Sequence, residues 1–275
     1  MSDKQRRSSA EGISFKEHST GSAVLIPNHL YPKLGNPVPL GLFGFATTAF
    51  VTALYQCGAG LPDSNPLGDV GGSEAAFGLA VFFGGMAQVI AGIMAFTTGN
   101  TFGTTAHIAY GCFWLSFAMF MVPSLGIKNA YVGNQRAYSF AMGIYLLFWC
   151  VLSIMFLVAS LRTNYVTIGV FVFLVLAFFF LSLSKFIETS SMANAVRLNK
   201  VGGACTFLCG LGAFYMGASG LMVPETTFVR LPLGMIAPPA FPNPIRISTP
   251  QQSHRLAYFY PSFLMSVILL HKTAL

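Results

Sequence analysis

Long apolar stretches alternate with short polar breaks along most of the chain. Six stretches come close to the roughly 20 apolar residues that a bilayer-crossing helix needs. They cover 40–60, 75–97, 104–122, 138–160, 167–184 and 201–223, and none carries a charged residue in its central portion. The breaks have the chemistry of helix ends. Pro37 and Pro39 flank the start of the first stretch, where proline fits a first helical turn. Leu61-Pro62-Asp63-Ser64-Asn65-Pro66 is a run of turn-formers. Gly99-Asn100-Thr101 is so short a break that the second and third stretches must form a tight hairpin. The segment 185–200 is polar and reads as helical in part. The pattern predicts an all-α integral membrane protein, a six-transmembrane-helix bundle.

Composition strengthens that reading. Of 275 residues 54% are hydrophobic and 8% charged, against roughly 25% charged in soluble domains. So little charge cannot cover a water-facing surface, so membrane lipid is the expected solvent. The net charge of +7 is spread over tails and loops with no basic stripe, which argues against a nucleic-acid partner. Cys57, Cys112, Cys150, Cys205 and Cys209 all fall in apolar stretches without accompanying metal-ligand spacing, so they read as packed thiols. No metal and no cofactor is expected.

The ends differ from the bundle. Residues 1–35 are polar and mixed in charge, with no apolar signal-peptide core. They read as a disordered cytoplasmic tail, and the first span as its own insertion signal. The transporter-like body covers 36–232. Residues 233–275 form an atypical tail, proline-rich and then apolar over 256–270, a run of about 15 residues interrupted by Pro261. That run is short for a span and reads as interfacial or disordered. With both termini cytoplasmic, Lys4, Arg6, Arg7, Lys16, Lys33, Arg162, Arg230, Arg246, Arg255 and Lys272 fall inside. Lys128, Arg136, Lys185, Arg197 and Lys200 fall outside. This asymmetry predicts that orientation.

Helical spacing gathers polar and aromatic residues on shared faces. Phe45, Thr48, Thr52 and Gln56 share one; Gly84, Gln88 and Gly92 a second; His107, Tyr110, Trp114 and Phe117 a third. Thr206, Gly210, Ala213, Gly217 and Gly220 form a strip of small residues. One reading is packing, because small residues let membrane helices approach and Thr or Gln can bond across them. The other is a pathway: Phe45 and Tyr110 would form an apolar constriction, and Gln88, Thr48 and Thr104 would hold a small polar solute beside it. His107 sits in the first turns of its stretch and fits either an interfacial place or a proton-linked role. No Asp, Glu, Lys or Arg lies at mid-membrane, so neither a buried carboxylate relay nor a fixed anion site is expected. No catalytic or nucleotide-binding motif is present, and the chain does not read as an enzyme.

The string Asn36-Pro37-Val38-Pro39-Leu40-Gly41-Leu42 resembles the signature of the acetate uptake transporter family, which includes bacterial succinate–acetate permeases and fungal acetate and ammonia transport proteins. The likeness continues through Gly44-Phe45, Phe83-Gly84-Gly85-Met86-Ala87-Gln88, Gly99-Asn100-Thr101-Phe102-Gly103 and Tyr110-Gly111-Cys112-Phe113-Trp114, in the family's order and spacing. It covers roughly residues 36–232, and the long N-terminal tail looks like the fungal branch. Val38 stands where Ala is commoner, and the residues after Pro232 are unlike the family's short ending: a real extension or an intron read through.

The resemblance implies a six-helix protomer in a homo-hexameric ring in the plasma membrane, multi-pass, each protomer passing acetate and similar monocarboxylates. It implies a Phe, Tyr and Leu constriction, matched here by Phe45, Tyr110 and, with no sharp motif, Leu174. Asn36 would lie near the cytoplasmic mouth, and Gln88 and Asn100 would be polar lining. Facilitated or proton-linked passage is the expected mechanism. A membrane sensor for acetate or ammonium, an ammonium exporter and a structural scaffold are the rivals.

Overall fold

The computed structural model describes residues 13–17, 23–27, 34–68 and 73–236. Two short strands, β1 (Ile13–Glu17) and β2 (Ala23–Pro27), pair antiparallel within the stretch expected to be a disordered tail. The apolar run 256–270, and most of the C-terminal tail with it, lies outside the described residues.

The body is helical. Its long helices are α1 (Val38–Gln56), α2 (Leu79–Thr97), α3 (Thr101–Phe120), α4 (Gln135–Ser160), α5 (Tyr165–Ile187) and α6 (Met192–Leu221). Five of them, all but α3, are long and apolar enough to cross a membrane. The expected stretch 104–122 does form a 20-residue helix, but Thr101, Thr104, Thr105, His107 and Ser116 lower its hydropathy. The last helix starts earlier than the apolar pattern implied, because the polar segment before residue 201 continues the same helix from Met192.

Local chemistry sets the helix starts. Asn100, Asn134 and Asn164 each accept a hydrogen bond from the backbone N–H three residues on, at 2.8, 3.0 and 2.8 Å, capping α3, α4 and α5. The α2–α3 hairpin turns through Thr98, Gly99 and Asn100, and Gly99 takes a φ of 74°, a conformation that costs glycine little. The first half of α2, Leu79–Ala87, is wound as a π-helix before α-geometry resumes at Gln88.

Packing follows the small residues. On α1, Ala46, Ala49 and Ala53 are wholly buried. Facing them on α6 come Gly203, which abuts Gln56 and Cys57; Gly210, near Ala46 and Ala49; and Gly217, against Phe43. The seven-residue spacing keeps these glycines on one side of the helix. Gly202 of α6 meets Leu181 of α5, and Ser184 donates to the Ala195 carbonyl at 2.7 Å. Gly44 of α1 lies against the Phe83 carbonyl of α2, and Gly111 of α3 against Val89 and Gly85 of α2. The small-residue strip expected on the last span is thus a helix-packing seam. Outward faces are apolar: Phe96, Phe148, Met155 and Val158 are all well exposed, as a lipid-facing surface requires.

Candidate functional site

Three side chains from three helices meet in the core. Phe45 of α1, Tyr110 of α3 and Leu174 of α5 are all buried and belong to one apolar cluster. The Phe45 and Tyr110 rings lie 5.9 Å apart, tilted by 58°. Tyr110 is held from behind. Its ring packs against Phe156 at 5.5 Å, Trp149 at 6.2 Å and Phe171 at 6.4 Å. Its hydroxyl is 2.9 Å from Ser153 Oγ, and Ser153 donates to the Trp149 carbonyl at 2.7 Å. Ser153 spends its one proton there, so Tyr110 is the donor between them.

A cavity of about 230 Å³ ends on this cluster. Phe45, Phe113, Trp114, Leu174 and Phe178 line it, with Thr52, Gln56 and Thr206 adding polar edges. Toward its mouth stand Glu74, Tyr138, Lys185 and Asn199, at the ends of helices remote from Asn36. A wider vestibule of about 740 Å³ adjoins it, lined by Lys128, Gln135, Tyr138, Lys185 and Glu188. Phe45 and Leu174 face the cavity, whereas Tyr110 stands behind Phe45 and off its lining.

The other sequence-predicted residues separate into three groups. Asn36 and Asn100 bond locally to backbone: Asn36 accepts from the Val38 N–H at 3.1 Å in a turn just before α1, and Asn100 caps α3 by accepting from Gly103. The Thr48 hydroxyl is buried, donates to the Gly44 carbonyl at 2.8 Å and lies 3.3 Å from the Leu79 carbonyl. Gln88 Oε1 and Thr104 Oγ1 are buried with no hydrogen-bond partner. Thr104 lies six residues before Tyr110 on α3, about 9 Å along the axis from it, on the side away from the cavity. His107 is buried and presses on α1 so closely that a Cβ on Gly41 would stand 2.5 Å from Nδ1.

Sequence reasoning did not select Ser153, Gln56, Trp114 or Lys185 as site residues. Gln56 Oε1 and Trp114 Nε1 are also buried without partners, and both residues line the cavity. A serine well inside an apolar span, with Ser139 and Ser160 near its ends, was the available signal for Ser153. An unpaired buried polar atom costs about 1–3 kcal/mol. Of four such atoms, those of Gln56 and Trp114 belong to residues on the cavity lining, and those of Gln88 and Thr104 lie off it. Among the described residues no cluster of His, Cys, Asp and Glu is placed to hold a metal, and all five cysteines are free thiols.

Residues 23–237 match the GPR1/FUN34/yaaH family model. The chain is 32% identical over 225 residues to the meiotically up-regulated gene 86 protein of Schizosaccharomyces pombe, covering 82% of this chain and 69% of that protein. It is 30% identical over 203 residues to the succinate-acetate/proton symporter SatP of Escherichia coli, covering 74% of this chain and 96% of the symporter. Among solved structures it resembles the bacterial acetate channel SatP with a TM-score of 0.59 and 28% identity, over 74% of this chain and 99% of that one.

Proposed function

The chain belongs to the GPR1/FUN34/yaaH family, and from that premise we propose that it conducts acetate and other short monocarboxylates across a membrane. One observation carries the proposal. In a chain that matches 99% of an acetate channel, a cavity ends on Phe45 and Leu174, with Tyr110 braced behind them. Such an apolar neck excludes hydrated ions by size and by dewetting. The unpartnered Trp114 Nε1 on the cavity lining and Thr104 Oγ1 away from it can donate to a carboxylate, while Oε1 of Gln56 and Gln88 can accept from the hydroxyl of the neutral acid. Asn36, Thr48, Asn100 and His107 hold the walls in place through caps and contacts. Carboxyl groups titrate near 4, so in mildly acidic surroundings a fraction of acetate arrives neutral. Crossing the neck as the neutral acid links one proton to each solute moved.

The same reading makes α3 the sixth span. Its 20 residues rise about 30 Å, the thickness of a hydrocarbon core. Its buried residues include His107, Tyr110, Phe113 and Trp114. A helix that turns His107 and Trp114 into the bundle does not need the hydropathy of a lipid-facing one. The exposed apolar side chains of α4 suit lipid and the neighbouring protomers of a ring. We place the protein in the plasma membrane, with both termini cytoplasmic as the Lys and Arg distribution favours.

Uptake of labelled acetate into liposomes holding the purified protein tests the proposal. Saturable flux above empty liposomes, altered in Phe45→Ala and Tyr110→Ala, is expected. Absence of flux from folded protein would favour a sensor. Flux of labelled methylammonium without acetate would make it an ammonium exporter.

A further inference from the structure

We infer that Lys185 forms a carboxylate-docking site at the mouth remote from Asn36, and that Glu188 is its resident competitor. The inference rests on the transport reading and deepens it. Lys185 lies near the C-terminal end of α5, and its Nζ donates to Glu188 Oε2 at 2.9 Å. The two side chains are 24% and 8% exposed, so the carboxylate is nearly enclosed while the ammonium keeps an open side. Lys185 lines the inner cavity and the outer vestibule alike, whereas Glu188 lines only the vestibule. Pro66, Leu67, Glu74 and Tyr138 line both spaces as well, and among these shared residues Lys185 is the one cation.

The surrounding chemistry fits an exchangeable anion. Among the described residues the other charged groups on the two linings are Lys128 and Glu74. The mouth is therefore near neutral overall, and a free ammonium there would hold an anion too long to release it. Glu188 prevents that. It keeps one N–H of the ammonium, and an arriving carboxylate takes an N–H on the open side, held less tightly than by a bare ammonium. The arriving carboxylate loses part of its water beside Lys185 before it meets the unpaired Trp114 Nε1 donor deeper in.

The test uses the full-length protein in two assays. In proteoliposomes, Lys185→Gln should raise the KM for acetate by about fivefold, the value of a partly exposed charge pair near 1 kcal/mol. Glu188→Gln should lower both KM and maximal rate, because the anion is held. Lys185→Arg should restore the wild-type KM, and the dependence of KM on chloride should vanish only in Lys185→Gln. Saturation-transfer NMR with acetate on detergent-purified protein reads docking without transport. There the signal should fall in Lys185→Gln and persist in Glu188→Gln. If wild-type protein moves no acetate, the transport reading fails and the NMR series alone judges the site. Unchanged KM and unchanged saturation transfer in folded Lys185→Gln would overturn the inference and leave transport standing.

Discussion

Two seams hold the bundle together in opposite ways. Between α1 and α6, backbone meets backbone: Ala46, Ala49 and Ala53 lie flush against a glycine-bearing face. Between α3 and α4 the gap is filled by rings. Phe113 stands 5.1 Å from Trp149, and Tyr145 lies stacked on Phe113 at 6.1 Å. A small-residue seam has little slack where an added atom would press on main chain, as it would at Gly203. A ring-filled seam changes width when a side chain turns. The cavity draws much of its wall from the α3 rings, so the rigid seam serves as frame and the aromatic one as the adjustable wall.

The sharpest way to break this contrast is Gly203→Leu. A Cβ there would stand 2.8 Å from the Gln56 Cβ and 3.0 Å from the Cys57 nitrogen. Overpacking of this kind costs about 1–3 kcal/mol even where side chains can yield, and here main chain blocks the way. Loss of the monodisperse peak in size-exclusion chromatography is the expected result. Phe45→Ala acts where α1 meets the rings of α3 and should leave the fold intact. Discrimination between acetate and a four-carbon acid should fall by about tenfold, the worth of one methylene in a fitted pocket, read as the ratio of initial uptake rates.

Tyr110→Phe keeps the ring and removes its bond to Ser153. Hydrogen bonds inside membrane bundles average about 0.6 kcal/mol, so the thermal midpoint should drop slightly while the acid selectivity stays as in wild type. A large loss of selectivity would mean that the hydroxyl, not the ring, guards the neck. Gly210→Ala should do least. Its Cβ would meet the Ala46 carbonyl at an ordinary 3.5 Å, and stability should move by less than about 0.5 kcal/mol. Equal damage from Gly210→Ala and Gly203→Leu would show that the seam is tight throughout.

Much of the frame was legible beforehand. The apolar runs placed the long helices, and the turn at Gly99 and Asn100 gave the α2–α3 hairpin, because both signals are local. The strip of Gly210 and Gly217 also read directly as packing, since side-chain size is written in the sequence. The cavity was less legible. Gln56 and Lys185 sit at helix ends, where a pattern search sees ordinary interfacial polarity, and their importance arises from which helices meet there. Ser153 looked like one more small residue until the Tyr110 hydroxyl was found on it. Roles expected from single strings also divided: of Asn36 and Asn100, both read as polar lining, the first turns its oxygen to the Val38 N–H before α1 and the second caps α3.

The π-wound opening of α2 has a consequence for how this chain tolerates change. A π-turn holds more residues than an α-turn, so the segment Leu79–Ala87 carries spare length. Removing one residue on its outward side, such as the exposed Phe82, would let the coil tighten without shortening the hairpin beyond it. The residues before the deletion would then be turned relative to Gln88 and Gly92. In this helix, length and azimuth can be traded one residue at a time, so an indel here would act as a rotation of one pathway wall against another.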